Sequence, residues 1–201
     1  MASIYELKPK FQSWLRPAVR RLVAAGIRPN AVTMLALAGS LAVGLLLFQA
    51  FERRWILLLL PAWLFLRMAL NAIDGMMARE FHLATIAGAF LNEIGDVLSD
   101  AVLFLPLVAV EPEALWPIVA FSTGAVMTEF CGVLGRALGA SRRYDGPMGK
   151  SDRAFLVGLL AVALFLAPST RKLWPWIFAA ASALTLLTCW NRVRHALREI
   201  A

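Results

Sequence analysis

Apolar residues gather in long blocks separated by short polar stretches. A membrane-crossing helix needs roughly 20 mostly apolar residues. Blocks at about 31–50, 55–74, 86–110, 114–134, 154–167 and 173–190 meet or approach that length and predict six transmembrane helices. The first, Ala31 to Ala50, carries no charge; the second contains Arg67, the third has acidic residues in its first half, and the fourth contains Glu129. Residues 1–28 follow another pattern. Ile4, Leu7, Phe11, Trp14, Ala18 and Leu22 recur at three- and four-residue spacing, with Lys8, Lys10, Arg20 and Arg21 elsewhere. That predicts an amphipathic juxtamembrane helix in the headgroup region, made imperfect by Pro9 and Pro17. The predicted fold class is an all-α integral membrane protein, a single domain over 1–201 with six transmembrane helices plus an N-terminal amphipathic interfacial helix.

Composition narrows the class further. Of 201 residues, 60% are hydrophobic and 16% charged, with a mean hydropathy of +0.70. Soluble globules sit nearer 45–50% and about 25%, so disordered, fibrous and soluble classes are set aside. The formal charge of +7 would suggest nucleic acid in a soluble protein, but loop charge accounts for it here. The N-terminal segment, the 75–85 and 135–153 loops and the C-terminus hold fifteen Lys and Arg; the opposite loops hold four, Arg53, Arg54, Arg171 and Lys172. Basic loops stay on the cytoplasmic side, which predicts a multi-pass inner-membrane protein with both termini and the active site cytoplasmic. Trp55, Trp116, Trp174 and Trp190 fall near block ends, as an aromatic belt would. The first 30 residues lack the apolar core of a cleavable signal peptide. Cys131 and Cys189 form no metal or disulfide motif.

Candidate chemistry lies in the acids. Asp74, Glu93, Asp96, Asp100 and Glu129 sit in or beside the apolar blocks. A single ionised group at the bilayer centre costs about 2.5–3.5 kcal/mol, so such residues need water, counter-charges or metal and mark function by default. At about 100° per residue, Asn92, Glu93, Asp96 and Asp100 share roughly 100° of one helix face. Asn71 and Asp74, three apart, share a face of the second block, with Arg67 one turn before. Two helices thereby direct carboxylates and amides to a common site of the kind that hard divalent cations favour. Paired metals of that kind stabilise both attacking and leaving oxygens in phosphoryl displacement. Intramembrane acids also mark ion pathways, so a membrane transporter is an alternative, although no repeated halves are seen.

Residues 71–79 read N-A-I-D-G-M-M-A-R and, eight residues later, 88–96 read G-A-F-L-N-E-I-G-D. This resembles the signature of the CDP-alcohol phosphotransferases, D-x-x-D-G-x-x-A-R followed after about eight residues by G-x-x-x-D-x-x-x-D. Asp74, Gly75, Ala78, Arg79, Gly88 and Asp96 match in type and spacing, whereas Asn71 and Asn92 replace family aspartates. The segments Gly26 to Thr33 and Pro147 to Ser151 are similar to the family's entry into its first span and its loop before the fifth, so the likeness covers nearly the whole chain. It is nearest to a bacterial subfamily carrying the same two asparagines.

The resemblance implies six transmembrane helices, a homodimer, and transfer of a phosphatidyl group from a CDP-alcohol such as CDP-diacylglycerol to an acceptor hydroxyl, with release of CMP. It implies Asp96 as general base, Asp74 as ligand to Mg²⁺ or Mn²⁺, Gly75 and Ala78 as room for the nucleotide, Arg79 at the pyrophosphate, and Gly88 as a close-approach position. Lys150 is read either as an acceptor-binding cation or as ordinary cytoplasmic charge, and Arg142 and Arg143 as the latter. Asn71 and Asn92 remove two negative charges from the metal site. The first expectation is that Glu93 or Asp100 restores them beside Asp74, Asp96 and the two amide oxygens. A single-metal enzyme and a non-catalytic CDP-lipid-binding protein are the alternatives. Glu129 is expected to pair with Arg67 or to enter the acceptor pocket, Asn30 and Thr33 to cap the first span or touch the nucleotide, and His82 and His195 to lie outside the chemistry.

Overall fold

The computed structural model describes residues 4–201, with side chains from residue 10 onward. Ile4, Leu7 and Lys8, part of the expected amphipathic pattern, lie outside the described side chains. Eight helices follow in order: α1 (Ile4–Ala24), α2 (Pro29–Ala50), α3 (Leu59–Glu80), α4 (Ile86–Phe104), the single turn α5 (Leu107–Val110), α6 (Leu115–Ala137), α7 (Lys150–Leu166) and α8 (Trp174–Ile200). Short 3₁₀ turns precede α3, α6 and α8. Four helical segments are long and apolar enough to cross a membrane: Pro29–Ala50, Arg54–Glu80, Pro112–Ala137 and Pro168–Ile200. Among the other two expected spans, α7 has only 17 residues and α4 carries Glu93, Asp96 and Asp100.

Element boundaries differ from the hydropathy blocks where polar residues continue a helix. α3 runs six residues past Asp74, so Asp74, Gly75, Ala78 and Arg79 all stand on one helix. α7 starts at Lys150 rather than Ala154, because the Asp152 carboxylate accepts from the Gly149 amide at 2.9 Å and satisfies a free N–H at the helix start. α8 continues to Ile200, carrying Arg192 inside the bundle. The third block breaks instead: α4 ends at Phe104, ahead of Pro106, whose ring cannot continue the hydrogen-bonding ladder. α1 passes unbroken through both prolines and turns into α2 at Gly26, whose φ of 77° suits a residue without Cβ.

The apolar core centres on Leu60, Leu103, Phe104, Phe121, Trp174 and Phe178. α2 packs against both α3 and α4, α3 against α7, and α6 against α8. α1 lies along α3, where Val19 is buried with Ile73 and Met77, and Arg16 holds Glu80 through two bonds of 3.1 Å. Gly44 lets α2 approach α4 closely, since a Cβ there would stand 2.1 Å from the Val102 carbonyl oxygen. This packing leaves the polar faces of α3 and α4 turned toward one another.

Candidate active site

The polar faces of α3 and α4 are joined by side chains. Asn71 of α3 donates through Nδ2 to Asp96 Oδ1 at 2.9 Å, and Arg67 Nη2 donates to the Asp96 carbonyl at 3.0 Å and its Oδ1 at 3.3 Å. Lys150, the first residue of α7, forms an ion pair with Asp96 Oδ2. Two elements, α3 and α7, therefore aim cations or amides at one α4 carboxylate that is 20% exposed. Asp74, one turn beyond Asn71, is buried and accepts from Thr33 Oγ1 of α2 at 2.7 Å. Thr33 is thus a partner of Asp74 rather than a helix cap, and no side chain caps α2.

The remaining signature residues surround this pair. Arg79 is exposed and folds back over Gly75, where a Cβ would stand 3.1 Å from its Nη2. Gly88 begins the first turn of α4, which Thr85 caps by accepting from the Gly88 amide at 2.9 Å. A Cβ at Gly88 would lie 2.5 Å from Asn30 Oδ1, so the missing side chain makes room for the start of α2. Asn92 is partly buried one turn before Asp96 on α4, and Ala78 is partly buried on α3.

The two carboxylates expected to restore the lost charge, Glu93 and Asp100, are held in ion pairs with arginines. Asp100 Oδ1 binds Arg67 Nη1 at 2.5 Å, and its Oδ2 binds Arg153 Nη2 at 3.0 Å. Glu93 receives both Nε and Nη2 of Arg142, at 3.0 and 2.8 Å. Such two-point guanidinium pairs are geometrically specific and charge-assisted. The expected Glu129–Arg67 pair is also replaced: Glu129 binds Arg153 at 3.0 Å, Arg142 at 3.0 Å and Arg192 at 3.5 Å. Among the described residues, no three His, Cys, Asp or Glu side chains converge as a metal site.

In the sequence Arg142 and Arg153 read as cations of the loop before α7 and Arg192 as charge of the cytoplasmic tail. Arg153 and Arg192 are buried in the site's wall, Arg153 completely, and Arg142 is partly buried there. The available signal was their position: Arg153 and Arg192 lie only one and two residues beyond the ends of the apolar blocks 154–167 and 173–190. His195 lies 3.6 Å from Asp145, and His82 is in the exposed α3–α4 loop, both outside this cluster.

Over 195 residues the chain is 43% identical to the inner membrane protein YnbA of Escherichia coli (strain K12), spanning 97% of this chain and 96% of that protein. It is 26% identical over 211 residues to a phosphatidylinositol phosphate synthase of Streptomyces avermitilis, 95% of this chain and 81% of the relative. The fold matches the crystal structure of the Mycobacterium tuberculosis phosphatidylinositol phosphate synthase with CDP-DAG bound, with a TM-score of 0.74 and 21% identity over 90% of this chain and 92% of that one. The same enzyme in complex with manganese and citrate gives 0.73 at 21% identity, over 90% and 88%. Residues 27–190 match the CDP-alcohol phosphatidyltransferase family. With the signature residues Asp74, Gly75, Ala78, Arg79, Gly88 and Asp96 gathered on the facing helices α3 and α4, the chain belongs to that family.

Proposed function

We propose that this chain transfers a phosphatidyl group from CDP-diacylglycerol, or a similar CDP-alcohol, to an acceptor hydroxyl and releases CMP. The observation that supports it most directly is the Asp96 carboxylate, held at the junction of α3, α4 and α7 and still partly open to solvent. In this reading the acceptor oxygen attacks the phosphorus that carries the diacylglycerol, forming one P–O bond as the bond to CMP breaks. Asp96 accepts the hydroxyl proton. Arg79, exposed above Gly75, contacts the pyrophosphate, while Gly75 and Ala78 leave room for the nucleotide.

A divalent cation fits the oxygen donors that remain. With Glu93 and Asp100 held by arginine, Asp74, Asp96 and the amide oxygens of Asn71 and Asn92 form a set suited to one hard cation such as Mg²⁺ or Mn²⁺. Bound there, the ion would neutralise charge on the pyrophosphate. Lys150 leaves Asp96 Oδ2 when the site is loaded. The family likeness and the charge distribution also support six membrane spans, with the shorter α4 packed on α2 and α6 and α7 on α3, an N-terminal interfacial helix, cytoplasmic termini and a homodimer.

A second reading, a CDP-lipid-binding protein without turnover, draws on charge balance. Four carboxylates (Glu93, Asp96, Asp100 and Glu129) pair with five cations (Arg67, Arg142, Lys150, Arg153 and Arg192), and Asp74 bonds the Thr33 hydroxyl. CMP release separates the two. In lipid nanodiscs with CDP-diacylglycerol, Mg²⁺ or Mn²⁺ and a panel of alcohols, acceptor-dependent CMP is expected, and Asp96→Asn should lower it by at least about 10²-fold. Donor binding with no CMP would favour the second reading, and full activity in Asp96→Asn would remove Asp96 as base.

A further inference from the structure

Three guanidinium groups from separate elements meet at one point beside the site. Arg142 comes from the α6–α7 loop, Arg153 from α7 and Arg192 from α8. Their common partner is the Glu129 carboxylate of α6: Oε1 lies 3.0 Å from Arg153, and Oε2 lies 3.0 Å from Arg142 and 3.5 Å from Arg192. Arg153 and Arg192 are 0% and 1% exposed. Converging guanidinium forks are the usual means of gripping a phosphate, because they match its oxygens in geometry and oppose its charge. Here the anion at their centre belongs to the chain itself.

The other valences of these arginines are also filled. Arg142 takes Glu93, Arg153 takes Asp100 Oδ2, Thr128 Oγ1 at 2.8 Å and the Met148 carbonyl at 3.2 Å, and Arg192 takes the carbonyls of Thr128 and Asp145. An incoming phosphate would have to expel a buried carboxylate and leave it uncompensated, which is strongly unfavourable. Lys150, 32% exposed, is likewise paired, with Asp96. Arg142, Arg153, Arg192 and Lys150 thus each already hold a carboxylate of the chain.

We propose that Glu129 occupies from within the oxyanion pocket formed by Arg142, Arg153 and Arg192, so that the acceptor is an alcohol carrying no phosphate. This rests on the transferase reading above and specifies its acceptor. It sets the chain apart in chemistry from relatives named phosphatidylinositol phosphate synthases.

Two measurements on the full-length protein in nanodiscs test it. The first compares CMP release with paired acceptors: glycerol against glycerol phosphate, and inositol against inositol phosphate. The unphosphorylated member of the productive pair should be used with at least about tenfold higher kcat/KM. Preference for the phosphorylated member overturns the proposal and leaves the transferase reading standing. The second titrates inorganic phosphate without donor, read by thermal shift and ³¹P line broadening. Wild type should show no saturable shift at millimolar phosphate, and Glu129→Gln should bind about tenfold more tightly, because Arg192 is left without its carboxylate while Arg142 and Arg153 each lose one of theirs. Saturable phosphate binding by wild type that Arg153→Met abolishes overturns the proposal even if no acceptor supports CMP release. Absence of CMP with every acceptor counts against the transferase reading alone, and the wild-type titration then decides the pocket, whether or not Glu129→Gln folds.

Discussion

The ammonium of Lys150 rests on Asp96 Oδ2, linking the first residue of α7 to the carboxylate assigned as general base on α4. The lysine stands where a cation opposes the same oxygen that a divalent ion or an acceptor hydroxyl would approach. Removing it exposes Asp96 to both. Lys150→Met should therefore bind Mn²⁺ roughly threefold to tenfold more tightly, the range expected for a partly exposed pair. Mn²⁺ titration followed by electron paramagnetic resonance measures this directly; weaker binding would mean that Lys150 organises the site rather than competing for it.

Asp100 separates structural from catalytic carboxylates. It is buried between Arg67 and Arg153, and its loss leaves two guanidiniums facing each other's charge. Asp100→Asn should lower stability by about 3–5 kcal/mol, as breaking buried ion pairs does. Mn²⁺ affinity of the folded fraction should stay at the wild-type value. Thermal melts in detergent together with the same metal titration test both halves; an unchanged melting temperature with lost metal binding would return Asp100 to the ligand set.

Close helix approach makes a purely steric prediction. At Gly44 an added Cβ meets the Val102 carbonyl oxygen at 2.1 Å, and backbone cannot swing aside as a side chain can. Gly44→Ala should push α2 from α4 and cost about 1–3 kcal/mol. Because α2 supports both polar helices, CMP release should fall with stability, which paired melting and activity measurements would show.

The loop ahead of α7 carries a pH dependence of its own. Partial burial works against the charged form of Asp145, yet Arg143, donating through Nε at 2.8 Å, outweighs it and holds the carboxyl below its ordinary pKa. His195 lies 3.6 Å away, and Glu199 shares Arg143. A lowered folded-state pKa means that the stabilisation is present above the unfolded value of about 3.9 and is lost as pH falls through the folded one. Amide exchange in 139–149 should be slow and pH-corrected rates constant from neutrality to about pH 5, then rise below pH 4. Arg143→Met should move the rise to higher pH.

Much of the architecture was legible in the pattern of apolar blocks. A helix that must shield its backbone from lipid shows itself in one continuous stretch of sequence, so α2, α3, α6 and α8 could be read directly. The signature spacing likewise placed Asn71, Asp74, Asn92 and Asp96 on helix faces, because helical periodicity is local. What sequence could not settle was which cation meets which carboxylate. Glu93, Asp96 and Asp100 share one face of α4, yet they go to Arg142, to Lys150 with Asn71 and Arg67, and to Arg67 with Arg153. Those partners arrive from α3, α7 and the loop before α7, brought together only when α3 packs on α7 and α4 on α6. Arginine positions near span ends look like cytoplasmic charge in one dimension. Only the three-dimensional packing reveals that Arg153 and Arg192 point inward, because the direction of a long side chain is set by the neighbour it meets and not by the residues beside it in the chain.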